Sequence, residues 1–427
     1  MESTAWLIVT VITILALFVF GFKAPQGVFA IYLNGMFIAT LLLTHTGINL
    51  FAGTSILMIS GITLLYYLLR EVGIREFWDR LKGWLPLLVV LIAIDMVIAF
   101  LYGTRSSYGA MKIIRFVSIN AFFFFGLILF ARPEEKLYSF LKYTAFFGLV
   151  YALASLVGML MGDPMAMYGW NNRIWFSRSL GLTLILFYFF WGTGEQRKYV
   201  RLSILGIFIL ALMFLNASRG PVIALFVALL IFEIFDVSGV NWKKRGLHML
   251  ILTAVFYVIF WSNSPLTKPL ANAAELNDQM ISITEKFNSD AGGTGNERLI
   301  IWKDTLGMIQ EHPVLGIGTG SFHTIVPYKP NEPYLYPHNI VLEVMVEQGI
   351  PGVLLWLGFG LITITLSIRG ILQKSRGQRI YLISLAILAF GLANAMLSGN
   401  IPDNPNIFVA AGLAWSAHLL ERRETFS

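Results

Sequence analysis

Three side chains stand out as able to do chemistry at the edge of an apolar environment: His338, Arg219 and Arg298. His338 lies in Tyr336–Pro337–His338–Asn339, just before a long apolar run. Pro337 disfavours helix ahead of it, so the histidine opens the next helix at a membrane entrance. An imidazole ordinarily titrates near about 6.5, which suits a general base. Gly349 and Gly352 follow. At about 100° per residue, the step from 338 to 349 returns to within roughly 20° of the starting face. A continuous helix therefore puts His338, Gly349 and Gly352 on one stripe, open to close approach by another helix or a lipid chain. Glu343 and Glu347 point elsewhere, toward water or a partner. Capping by His338 and packing by the glycines explain the spacing equally well.

The arginines are the second signal. Arg219, in Asn216–Ala217–Ser218–Arg219–Gly220–Pro221, occupies a tight turn between two apolar runs, on the side where the positive-inside rule opposes a cation. Arg298 falls in the first turn of a predicted helix, where the helix dipole disfavours positive charge. A bound anion such as phosphate resolves that conflict; snorkelling to lipid headgroups is the simpler alternative. Arg173 and Arg178, after Trp170–Asn171–Asn172, are weaker candidates of the same kind.

Other features carry less. Gly316–Ile317–Gly318–Thr319–Gly320 follows no strand and reads as a structural turn rather than a nucleotide loop. Asp95, inside an apolar run, is either functional or paired with a neighbouring helix. Tyr328, Tyr334 and Tyr336, interleaved with prolines, suit sugar stacking or an interfacial aromatic belt. His45, His248, His312, His323 and His418 show no metal-ligand spacing, and no metal is expected.

The elements that must position these residues are membrane helices. The 427 residues are 57% hydrophobic and 13% charged, too apolar to cover a soluble protein of this size. The fold class expected is all-α, a polytopic bundle of 12–13 transmembrane helices. Spans fall near 5–21, 28–44, 53–70, 84–103, 111–131, 143–162, 174–192, 202–216, 221–238, 247–262, 340–367, 379–398 and 406–420. The first, lacking a basic leader and a cleavage site, reads as a retained helix. The net charge of +7 sits mostly in loops between spans, a topology signal rather than a nucleic-acid footprint. With no cysteine, disulfide and thiolate chemistry are excluded.

Basic residues alternate between sides. Arg70, Arg75, Arg80 and Lys82, then Arg132, Lys136 and Lys142, then Arg197, Lys198 and Arg201 mark one set of loops. Lys243–Arg245, Arg369–Arg379 and Arg422–Arg423 extend it. These face the cytoplasm by the positive-inside rule, so the long connection at 263–337 faces the opposite side, in a bacterium the periplasm. The chain thus divides into N-terminal transmembrane helices at 1–262, a large periplasmic loop at 263–337 and C-terminal transmembrane helices at 338–427, all in one membrane domain. A loop this long is seldom structureless. Leu276, Met280, Ile283 and Phe287 define one helix in it, and Leu299, Trp302, Leu306 and Ile309 a second from Glu297, separated by the turn Asp290–Asn296.

His338–Asn339, nine residues, then Gly349–Ile350–Pro351–Gly352 resembles the signature of the O-antigen ligases. Arg298–Leu299–Ile300–Ile301–Trp302 and His312–Pro313–Val314–Leu315–Gly316–Ile317–Gly318 resemble the wider ligase and polymerase superfamily, strongest over 296–357, with Arg219 in a matching upstream place. The resemblance implies a glycosyltransferase of the bacterial inner membrane. It would move a glycan from undecaprenyl pyrophosphate to a sugar of lipid A–core on the periplasmic face, with no cofactor, metal or nucleic acid. Its site would comprise His338 as base, Arg219 and Arg298 on the pyrophosphate, Arg173, Arg178 and Asn339 as secondary contacts, and Gly349 and Gly352 for helix packing. An O-antigen polymerase or a protein O-oligosaccharyltransferase is implied almost as well. A lipid-linked glycan flippase would call for internal repeats and matched midplane charges, which the sequence does not display.

Overall fold

The computed structural model describes residues 15–34, 51–162, 173–191, 206, 219–235, 295–326 and 336–422. Among these, every regular element is helical. In chain order they are α1 (Pro25–Asn34), α2 (Phe51–Tyr67), α3 (Ile74–Arg80), α4 (Trp84–Tyr102), α5 (Ser107–Leu129, with a π-helical stretch at Phe116–Ala121) and α6 (Glu134–Leu160). There follow α7 (Arg173–Trp191), α8 (Arg219–Phe235), α9 (Gly295–Glu311), α10 (Phe322–Ile325), α11 (Ile340–Leu372), α12 (Gln378–Ser398) and α13 (Pro405–Glu421). By length and composition α4, α5, α6, α11 and α12 can each cross a membrane, and α2 with α3 forms a sixth candidate bent by 99°. Most of α7 and α8 is apolar but shorter. The predicted span at 202–216 apart from residue 206, the span at 247–262, parts of those at 5–21 and 28–44, and the loop helix at 274–288 lie outside the described residues.

α12 and α13 form the centre of the bundle, with nearly every residue of α13 buried. Phe29 anchors an aromatic cluster with Phe122, Phe123, Phe130 and Phe140. The residues left exposed on α4 and α11, such as Leu87, Val90, Ile94, Leu354, Leu357 and Leu361, are themselves apolar, as a lipid-facing surface requires.

One end of the bundle gathers basic loops. Arg80 donates to the carbonyls of Ile128 and Leu129 at the end of α5, Arg379 to Phe189 at the end of α7, and Arg132 to Leu419 at the end of α13. Helix C-termini leave carbonyls unpaired and carry partial negative charge, so arginine is a fitting cap. Arg422 reaches Lys82, and Arg376 pairs with Glu134 across the same end.

The opposite end carries a joint between α11 and the segment after α9. The backbone of α11 breaks at Gly349, which takes φ 64° and ψ −153°. The expected stripe of His338, Gly349 and Gly352 therefore does not exist: the helix begins at Ile340 and is not continuous past Gly349. The break has a specific chemistry. In unbroken helix, Ile350 N–H would bond Val346 O, and Pro351 has no N–H for Glu347 O. Both carbonyls are instead taken by the incoming loop, Ile317 N donating to Val346 O at 2.7 Å and Gly318 N to Glu347 O at 2.9 Å. Ile350 N donates in turn to Val314 O at 3.0 Å. The Gly316–Gly320 run is a structural turn, as expected, with positive φ at Gly316, Gly318 and Gly320. Its far side is held by Ser106, whose hydroxyl donates to Gly320 O, and by Ser321, whose hydroxyl accepts from Thr104 N.

Replacing Gly349 by alanine forces a side chain into a glycine-only backbone region and against the carbonyl of Val314. The expected cost is about 2–3 kcal/mol, read as a lowered thermal unfolding midpoint of the purified protein in detergent. A midpoint equal to the unsubstituted protein's would mean that the joint does not hold in solution.

Candidate functional site at the end opposite the basic loops

The site is built around residues 396–404, the end of α12 and the short turn before α13. Its sequence, Met396–Leu397–Ser398–Gly399–Asn400–Ile401–Pro402–Asp403–Asn404, ends α12 and presents carbonyls with no helical partner. Side chains from other helices or their flanks supply the donors. Asn339 Nδ2 donates to Met396 O, Arg298 to Leu397 O at 2.9 Å, Arg178 to Asp403 O at 2.8 Å, and Asn120 to Ile401 O at 3.0 Å. Arg115 pairs with the Asp403 carboxylate at 2.6 Å. Glu343 accepts from Ile401 N at 3.0 Å.

His338 precedes α11 rather than opening it. Asn339 is the N-cap, its side chain accepting from Val341 N and Leu342 N, and His338 itself takes φ 57°. That conformation is uncommon for a residue with a Cβ and is held in place by its surroundings. Trp302 Nε1, on α9, donates to Pro337 O at 2.8 Å, and the Tyr336 ring lies 4.2 Å from the imidazole, centre to centre. Burial, followed by the Asp403 carboxylate, pushes the Tyr336 phenol up to about 12, so it stays a neutral hydrogen-bonding group at any physiological pH.

Arg298 sits in the first turn of α9, as expected, against that helix's own dipole. The conflict is eased by a feature the sequence did not reveal: the guanidinium faces the negative C-terminal end of α12 through Leu397 O. Among the described residues nothing hydrogen-bonds to its Nε. For Arg219 and Arg173 the structure describes the backbone only; Arg219 begins α8, and its neighbour Gly220 lies beside Leu397. Arg178 is buried, held by Asp403 O and the Ser398 hydroxyl, with Nε unpartnered among the described residues. The backbone of Arg219 and the side chains of Arg298, Arg178 and Asn339 thus meet at one short segment, with His338 adjacent in sequence to Asn339. Gly349 and Gly352 belong to the joint instead. Gly352 faces Gln348 and Asp95, and Asp95 Oδ2 finds no hydrogen-bond partner among the described residues.

Several contributors escaped the sequence reading. Tyr108, Arg115, Trp175 and Asp403 join Arg178 and Tyr336 in lining a cavity of about 280 Å³, edged by Ser398 and Asn400. Beside it Lys112, fully buried, pairs with Glu343 at 2.5 Å and Glu347 at 2.6 Å. Water is excluded from both carboxylates; they face a partner. Cations at 112 and 115 inside an apolar run were the available signal, since intramembrane charge is costly and seldom idle.

Fold and site together define an all-α, multi-pass membrane protein whose imidazole and guanidinium groups collect at the end away from its basic loops. Residues 202–357 match the family model described as O-antigen ligase. An O-antigen ligase from Pseudomonas aeruginosa is 37% identical over 101 residues, which is 23% of this chain and 23% of that protein, so the likeness spans about a quarter of the relative's length. This part of the chain is similar to the O-antigen ligases. The matched segment holds Arg219, Arg298 and His338, whereas Lys112, Arg115, Arg178 and Asp403 lie outside it.

Substituting Lys112 by methionine strands two buried carboxylates, an expected loss of about 3–5 kcal/mol. Adding Glu343→Gln and Glu347→Gln should recover much of it. Equal thermal midpoints for the single and triple variants would count against the ion cluster.

Proposed function

We propose that this protein transfers a glycan from undecaprenyl pyrophosphate to a sugar hydroxyl of lipid A–core, at the periplasmic face of a bacterial inner membrane. The orientation rests on the positive-inside rule: the basic end faces the cytoplasm, leaving His338 and the arginines outside. The observation that carries the reading is the meeting of Asn339, next to His338, with Arg298 and the start of α8 around Met396–Ser398.

The reaction asks for little beyond these groups. The anomeric C–O bond to pyrophosphate already has a good leaving group, so no carboxylic acid is needed to protonate it, in contrast to glycoside hydrolysis. His338 accepts the proton of the acceptor hydroxyl as its oxygen forms the new bond to the anomeric carbon. The bond to pyrophosphate breaks on the opposite side, which inverts that carbon. Arg219 and Arg298 stabilise the charge growing on the departing pyrophosphate, planar and permanently charged as guanidinium is. Arg173 is a secondary contact by position. Arg178, its terminal nitrogens already engaged, acts through longer-range charge.

Purified His338→Ala should lose glycan transfer by roughly a hundredfold or more, the usual range for a general base, while still binding the lipid pyrophosphate. Full turnover by a folded His338→Ala protein would dismiss the base assignment. Arg219→Ala and Arg298→Ala should weaken binding of the lipid pyrophosphate; unchanged affinity in both removes them from it.

A further inference from the structure

The cavity beside His338 has a chemistry distinct from that of the pyrophosphate arginines. Its aromatic walls are Tyr108, Trp175 and Tyr336, and its polar groups come from Asn400, Ser398 and the Arg115–Asp403 pair. Resting on the transferase reading above, we infer that this cavity is a pyranose subsite, holding one sugar ring of the reacting glycan.

Four observations point there. First, at about 280 Å³ it falls just below the roughly 300–1,000 Å³ of sites for larger ligands, room for one ring rather than an oligosaccharide. Second, a pyranose presents an apolar face of C–H groups and a rim of hydroxyls, the complement of aromatic walls edged by amide, hydroxyl and carboxylate. Third, a diphosphate fits poorly. The Asp403 carboxylate repels it, Arg115 is committed to that carboxylate, and both terminal nitrogens of Arg178 are engaged by Asp403 O and Ser398. Fourth, Arg178 is only 6% exposed and keeps Nε without a partner among the described residues. A buried donor left single awaits an acceptor, and one N–H matches a sugar oxygen better than a diphosphate, which calls for several. Trp175 also supports Arg178, whose guanidinium carbon stands 5.9 Å from the indole centre, so the stacking wall and the buried donor are set together.

Tyr336 lines the cavity, and its ring centre lies 4.2 Å from that of the His338 imidazole. A ring seated here is next to the reacting centre, and it is either the donor's first sugar or the acceptor's terminal one. The two sources share the chemistry and differ in which Michaelis constant they govern.

The test uses the purified full-length protein with an undecaprenyl-pyrophosphate-linked glycan as donor and lipid A–core as acceptor. Trp175→Ala should raise the KM of one substrate about tenfold, the upper range for loss of an aromatic contact, with kcat changed less than about threefold. Trp175→Phe, which keeps a ring face, should restore most of the affinity. Met111 also lines the cavity, and Met111→Trp, filling it without deleting a polar group, should block the same substrate. Which KM moves assigns the ring to donor or acceptor. Binding of undecaprenyl pyrophosphate bearing no sugar should be unaffected by all three. The inference is overturned if neither KM moves in a folded variant, or if the sugar-free carrier loses affinity as much as the glycan. Should Trp175→Ala fail to fold, Met111→Trp carries the test alone. Failure of the unsubstituted protein to transfer at all would instead strike the transferase reading, while sugar binding could still be followed.

Discussion

The carbonyls and carboxylate of residues 396–404 are what the rest of the site depends on. A helix that ends inside a bundle leaves unpaired carbonyls, and unpaired polar groups away from water are costly. Here those groups are met by donors from α5, α7, the first turn of α9 and the cap of α11. Each donor is a long or amide-bearing side chain whose own helix is fixed elsewhere. Satisfying one helix end therefore brings residues far apart in sequence, from Asn120 to Asn339, into register with it. The Lys112 cluster strengthens the same arrangement from beneath, because Glu343 holds both Lys112 and the Ile401 amide.

The joint at Gly349 does for α9 what residues 396–404 do for the side chains. Positive φ at Gly349 and the missing N–H of Pro351 release two carbonyls, and the loop after α9 fills both. α9 is thereby tied to α11 by backbone bonds, independent of side-chain identity apart from the glycines. Arg298 and Trp302 then reach the α12 end and Pro337 from a helix whose following loop is bonded to α11. The segment after α9 and the helix α11 are thus joined across the candidate site.

Much of this was legible in the amino-acid order, and for identifiable reasons. Composition and apolar run length pointed to an all-α membrane fold, and the basic loops did collect at one end wherever they are described. The helix bearing Arg298 and Trp302 exists as its period announced, but Leu299 and Leu306 of the expected stripe are exposed, and Ile301 and Thr305 are buried instead. The eleven-residue stripe failed because periodicity assumes unbroken φ and ψ; Gly349–Ile350–Pro351 was itself the warning, being a glycine and a proline within three residues of a helix interior. Lys112 and Arg115 went unremarked because each looked like the edge of a span, whereas three-dimensional placement buries the lysine completely. Asp403 sat in an ordinary polar turn, and no local pattern foretold that two arginines from distant helices would converge on it.

How a cation is held decides what it can still do. Lys112 is enclosed by two carboxylates and its charge is neutralised; it can brace the bundle but not attract a second anion. Arg298 is held by a neutral carbonyl, which fixes its position and leaves its charge without a carboxylate partner among the described residues. The same tether occurs at the basic end, where Arg132 and Arg379 cap helices, so carbonyl anchoring alone does not mark a ligand site. What separates the two ends is the company. The α12 end that holds Arg298 also holds Asn339, which follows the positive-φ residue His338, and Tyr336 beside that imidazole lines a cavity of about 280 Å³. A charge fixed by a neutral carbonyl, with an imidazole and a cavity nearby, suits the transfer proposed above, whereas charge at a bare helix end serves only the helix.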